Sequence, residues 1–117
     1  MYATTTVLTL LLGVLFVAAG SIKVVGAGDI RADAVRLGLS ARGQQGIGAL
    51  ELCAGFALVT AYWSPLPALF GALGLTALMA GAVVYHQRAA DPLPRTAPAM
   101  VLGLLSGATA LLVGTVL

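Results

Sequence analysis

The sequence predicts an all-α fold: an integral membrane bundle of four transmembrane helices, with a short interfacial amphipathic helix between the first and second. Three observations carry this reading. Of the 117 residues, 60% are apolar and only 9% charged, against about half and a quarter in a soluble domain, and the mean hydropathy is +1.04. The apolar residues fall into four runs of about 20, the length that crosses the hydrocarbon of a bilayer. All six Lys and Arg residues lie in or beside two of the three connections. Four crossings use about 80 residues, which leaves one domain over residues 1–117 and no space for a Rossmann domain, a P-loop or a nucleic-acid module.

The first run extends from about Thr4 to Val25. It lacks the basic n-region of a cleaved leader, so it reads as a retained helix. The connection that follows, AGDIRADAVRLGLSARGQ, is long for a link within a bundle. In it Ile30, Ala34 and Leu37 recur at i, i+4, i+7, Asp33 and Arg36 can pair on the polar side, and Gly38 stands where a helix C′ residue would. Two readings stay open for this segment: a surface helix at the headgroups, or a lid over a site, since long loops often carry function.

The second run extends from about Gln45 to Tyr62 and stops at the YWSPLP turn. The third covers about Pro65 to Gln87, with Ser64 as N-cap and Pro65 at the first helical position, where a missing N–H costs nothing. The fourth starts near Pro98 and reaches Leu117. Gly103, Gly107, Ala110 and Gly114 form a small-residue seam along it, a helix-packing face and a candidate homo-oligomer contact.

The charge distribution sets an orientation. Lys23, Arg31, Arg36 and Arg42 belong to the first connection, Arg88 and Arg95 to the third, and the second connection and both tails have none. By the positive-inside rule the first and third connections face the cytoplasm and both termini lie outside. Tyr2, Tyr62 and Trp63 then fall at the outer interface, where amphipathic rings prefer to sit. Membrane lipid is the implied surrounding, and nucleic acid is not an expected partner.

Rare residues bound the chemistry. The single Cys53 has no partner for a disulfide and is expected to be an unreactive packing residue. The single His86 cannot supply both axial ligands of a haem, and too few Cys and His residues remain for an iron–sulfur or structural zinc site. No metal and no resident cofactor are expected. Any chemistry is acid–base, or belongs to a redox partner.

Glu51 is the most informative position. It lies about seven residues inside its helix, roughly 10 Å from the cytoplasmic end, where an acid costs about 2.5–3.5 kcal/mol to insert. Gly48 and Gly55 share its face and turn it toward protein. Lys23, on a face with Phe16, Ala19 and Gly20, can reach it across an antiparallel hairpin. The third helix brings VVYHQR to the same level. His86 and Arg88 diverge by about 200° on a regular helix, so the site takes either His86 or the Tyr85 and Arg88 pair, and Asp91 can pair with Arg88. The catalytic candidates are Glu51, His86 and Lys23; the ligand-binding candidates are Tyr85, Arg88, Phe16, Gly48 and Gly55. A bare ion pair that pins two helices is the competing explanation for Lys23 and Glu51.

The segments LLGVLFVAAGSIKVVG, LGLS, GIGALELCAGFAL and LMAGAVVYHQRAADP, in this order, resemble the DoxX-like family of small four-helix bacterial membrane proteins over nearly the whole chain. A helix-ending Lys, an intramembrane Glu in the second helix and a His at the end of the third recur in that family; Lys23, Glu51 and His86 match them here. The resemblance implies a four-helix bundle in a bacterial cytoplasmic membrane, in some members associated with quinone-linked sulfur or antioxidant redox systems. Small multidrug transporters share the size and an intramembrane acid. Their acid lies in the first helix, and their balanced loop charges contrast with the six-to-zero bias here.

Two functions follow as expectations. The first is a cytoplasm-facing pocket for a lipophilic small molecule such as a quinone, isoprenoid or polyketide, in which Glu51, His86 and Lys23 perform isomerisation, cyclisation or hydration without a cofactor. The second is a non-catalytic membrane subunit that anchors a soluble redox partner and passes it quinone. Transport is the third reading.

Overall fold

The computed structural model describes residues 2–117 and contains five helices: α1 (Ala3–Val25), α2 (Ile30–Leu37), α3 (Ala41–Val59), α4 (Pro65–Arg88) and α5 (Leu93–Gly114). Among the described residues there is no strand. α1 packs on α3, α3 on α4, α4 on α5, and α5 closes back onto α1. The bundle measures 40 × 26 × 17 Å.

Three of these helices, α1, α4 and α5, are long and apolar enough to cross a membrane. Large apolar side chains such as Val7, Val14, Phe70, Leu104 and Leu111 point outward from them and are more than half exposed. A soluble protein rarely leaves so much apolar surface uncovered, so the chain is a membrane protein. α3 is more polar, because its 19 residues include Arg42, Gln44, Gln45 and Glu51.

The ends of the elements have local causes. Gly26, at φ 67°, stops α1 with its N–H on the Ile22 carbonyl at 2.9 Å. Gly38, at φ 79°, ends α2 as the spacing predicts: the Gly38 N–H reaches the Val35 carbonyl, and the Leu39 N–H reaches that of Ala34. Ala34 is buried, while Val35 on the other face is 79% exposed.

α3 begins four residues before the expected Gln45. Ser40 caps it, its Oγ accepting from the Gly43 N–H at 2.9 Å, and the polar ARGQQ stretch is the helix's opening turns. At the other end α3 stops at Val59, and a hydrogen-bonded turn carries Tyr62 and Trp63, whose exposed rings meet edge to face at 5.5 Å. α4 starts at Pro65, as expected.

α5 starts at Leu93, five residues before the expected Pro98. Pro94 falls in the first turn, where backbone N–H groups have no intrahelical partner, and so does not oppose the helix. Pro98 is inside it and removes one ladder bond near the end. Arg95 consequently projects from the first turn of a helix rather than from a loop, and is exposed.

The closest helix contact is between α1 and α3. A Cβ added to Gly20 would lie 2.5 Å from the Gly48 carbonyl oxygen, and one at Gly55 would lie 2.9 Å from that of Gly13. The backbones touch at two levels, which only glycine permits. On α5, Gly103 and Gly107 face Met79 and Thr76 of α4, whereas a Cβ at Gly114 meets open space. The core centres on Leu12, Phe16, Leu58, Leu75 and Val113, all 0–1% exposed.

Candidate functional site

Lys23 and Glu51 meet inside the bundle. Gly48, one turn before Glu51, lies against the stem of Lys23: a Cβ there would come to 2.7 Å from the Lys23 Cβ. This approach sets the lysine opposite the acid. Lys23 Nζ donates to Glu51 Oε1 at 2.5 Å. Glu51 is 0% exposed and the Lys23 side chain 22%. The second carboxylate oxygen, Oε2, is buried and has no hydrogen-bond partner. In native proteins such atoms are rare enough to need a reason.

A cavity of about 340 Å³ lies beside this pair. Phe16, Ala19 and Lys23 of α1, Gln44, Ile47 and Glu51 of α3, Tyr85 and His86 of α4, and Pro98 of α5 contribute to its wall. Leu37, the last residue of α2, and Leu39 just beyond it cover one side. A second cavity, of about 290 Å³, lies between the end of α1, α2 and the start of α3. Lys23, Leu39 and Gln44 border both and form the partition.

The His86 ring is oriented from behind. Its Nδ1 lies 2.5 Å from Asp91 Oδ2, and a carboxylate there fixes the proton on Nδ1 and leaves Nε2 as the nitrogen available to other partners. Asp91 reaches back because Ala90 adopts a left-handed conformation, φ 54°, which also brings the Asp91 N–H to the His86 carbonyl at 3.0 Å. The other Asp91 oxygen accepts from Arg36 of α2, and Arg36 bonds Asp33 at 3.2 Å, the pairing expected within α2. Arg36 first, and His86 second, hold the Asp91 carboxyl below the usual carboxylate range.

Of the eight candidate residues, five border the cavity: Phe16, Lys23, Glu51, Tyr85 and His86. Tyr85 and His86 both do so because adjacent helix positions, about 100° apart, can flank one opening. Arg88 lies outside it, its guanidinium 5.9 Å from the Tyr85 ring centroid. Asp91 therefore pairs with Arg36 and His86, not with Arg88. Gly48 and Gly55 are at the α1 contact, where Gly48 meets Lys23 and Gly55 meets Val17. Cys53, expected in the packing, is exposed on the outer side of α3, beside Phe70 and Gly74 in a shallow groove. No three of the described His, Cys, Asp and Glu side chains gather as a metal site.

Two contributors are not marked as such by the sequence pattern. Asp91 as the partner of His86 depends on a left-handed alanine, for which no local signal exists. Gln44 falls in a stretch of loop composition; its place four residues after Ser40, on the side of α3 that carries Glu51 seven residues later, is the clue to its role.

The fold and this interior define a class: an all-helical membrane protein with a lysine–glutamate pair buried within its bundle. The DoxX-like family matches residues 7–114, and the chain belongs to that family. No curated protein and no solved structure matches it.

Proposed function

We propose that this membrane protein binds a lipophilic small molecule in the cavity beside Glu51, and that the Glu51 carboxylate takes a proton from it. The observation that carries the reading is the carboxylate itself: wholly buried, at the cavity wall, held by Lys23 through one oxygen and unpartnered at the other. A pair that served only to join two helices gains nothing from an orphan acceptor. Lys23 supplies the counter-charge, and His86, held by Asp91, supplies a second proton-carrying group. Such a set suits isomerisation, cyclisation or hydration, in which one group removes a proton and another returns it.

The membrane arrangement supports this reading. α3 is the fourth crossing on this account, since it lies against α1 from the Gly13–Gly55 level to the Gly20–Gly48 level and shares its depth. Lys23, Arg31, Arg36, Arg42, Arg88 and Arg95 gather at the α2 end, which is then the cytoplasmic end. α2 is the interfacial helix that covers the cavity.

The test is the protein purified in mild detergent, its bound small molecules extracted and identified by mass spectrometry, beside Gly81→Leu. Gly81 borders the cavity and a Cβ there meets no atom within 4 Å, so a larger side chain has room to start from this position and takes up cavity volume. A lipophile that accompanies the native chain and is lost from Gly81→Leu supports the reading. The same extract from both overturns it.

A further inference from the structure

The chemistry around Glu51 narrows the ligand's head group. Glu51 Oε2 is an acceptor without a donor, on a residue at the cavity wall. A buried acceptor left unpaired keeps its full desolvation cost, which an arriving donor relieves. The charges are already balanced: among the described residues Lys23 is the only Lys or Arg at this wall and is engaged by Glu51, and His86 is engaged by the Asp91 carboxylate. A carboxylate or phosphate would meet the Glu51 charge with no free cation to offset it, and an ammonium would meet Lys23. The remaining wall is largely apolar, with Phe16, Leu78, Met79 and Leu102 among its side chains. Gln44, 6% exposed, together with Tyr85 and His86, adds further polar groups at the same wall.

We infer that the cavity takes a neutral lipophile whose head group carries a hydroxyl, as an alcohol, phenol or enol, and that this hydroxyl donates to Glu51 Oε2. The inference rests on the reading of the cavity as a ligand site and adds the polarity of the head. It also separates the two redox forms of a quinoid ring: the hydroquinone donates, whereas quinone oxygens only accept. At about 340 Å³ the cavity is at the small end of ligand pockets, enough for a head group with its tail running out between helices.

The experiment compares three probes with one tail: a long-chain 4-alkylphenol, its methyl ether and the matching 4-alkylbenzoate. Binding to the full chain in neutral detergent is measured by calorimetry, for wild type, Glu51→Gln and Gly81→Leu. In wild type the phenol binds at least about tenfold more tightly than the ether, the range of a hydrogen bond to a charged acceptor, and the benzoate binds no better than the ether. In Glu51→Gln the preference for phenol over ether shrinks to a few-fold, about the range of a hydrogen bond to a neutral amide. Equal binding of phenol and ether to wild type, with both lost from Gly81→Leu, overturns the hydroxyl inference and leaves the cavity reading standing. Tighter binding of the benzoate than of the phenol does the same. Binding of no probe to wild type, or binding unchanged by Gly81→Leu, overturns both. The wild-type comparison does not depend on any variant folding.

Discussion

Lys23 Nζ lies 2.5 Å from Glu51 Oε1, across the contact between α1 and α3, and the two ends of this pair are unequally sheltered: the acid is fully buried and the lysine side chain 22% exposed. Loss of the lysine leaves a charge bare in the interior, whereas loss of the acid leaves an ammonium that can turn toward the second cavity. Lys23→Met is therefore the costlier change, about 3–5 kcal/mol, with Glu51→Gln nearer about 1–2. The double variant costs less than the sum by more than about 1 kcal/mol. Reversible unfolding in mixed micelles measures the cycle; additive effects would show that the side chains do not meet.

The glycines separate contact from open space. Gly48→Ala forces α1 and α3 apart, because the new methyl meets the Gly20 carbonyl oxygen at 2.8 Å and the Lys23 Cβ at 2.7 Å, and it destabilises by about 1–3 kcal/mol. Gly74→Ala meets nothing within 4 Å and gains about 0.5–1 kcal/mol from helix propensity. Thermal unfolding of the two proteins should move in opposite directions.

Ala90 is the one described non-glycine residue with positive φ. Ala90→Gly removes the steric cost of that conformation and stabilises by about 1 kcal/mol, while Ala90→Val adds to the cost and weakens the Asp91–His86 bond. The expected order of melting temperature is glycine, alanine, valine. An unchanged or lower value for glycine would contradict the left-handed turn.

Asp91 joins α2 to α4 through Arg36 and His86. Its carboxyl is held below its ordinary range by those two partners, so its contribution is fully present above the unfolded carboxylate value of about 3.9 and is lost as pH falls through the lower folded value. Protection of the α2 amides, that is, exchange corrected for its intrinsic pH dependence, should thus hold from about pH 7 to about pH 4 and fall only below that. Asp91→Asn should lower that protection wherever the native carboxyl is ionised, and the two chains should converge once it is protonated. Exchange in α2 that is already fast at neutral pH in the native chain would contradict the tie.

Much of this architecture can be read from residues alone, and the gaps have physical causes. Apolar runs mark α1, α4 and most of α5, and Pro65 marks a helix start, although Ser64 makes no side-chain cap bond there; these signals are local. The Lys23–Glu51 pair follows from an antiparallel hairpin with glycine on the facing sides. The opening of α3 is hidden by charge: ARGQQ has loop composition, and only Ser40 reveals the helix. The opening of α5 is hidden by its prolines, which are tolerated near a helix N-terminus yet look like breaks. Cys53 points outward because the contact faces of α3 belong to its glycines and Glu51; in a membrane an exposed thiol and a packed one have the same apolar neighbours in sequence. The His86–Asp91 contact arises from the backbone conformation of Ala90, a property no side-chain pattern encodes.

Whether Glu51 exchanges its proton or serves only as one half of a fixed ion pair is settled most directly by its reactivity toward a lipophilic carbodiimide, which attacks protonated carboxyls in apolar surroundings. Peptide mass spectrometry locates the adduct in the native chain across about pH 8 to pH 6, the range in which a working base must hold and release a proton. The account predicts labelling at Glu51 that increases as pH falls and is suppressed by the long-chain phenol. Glu51 left unlabelled at every pH in the native chain, but labelled in Lys23→Met, would show a permanently ionised structural pair and contradict the account.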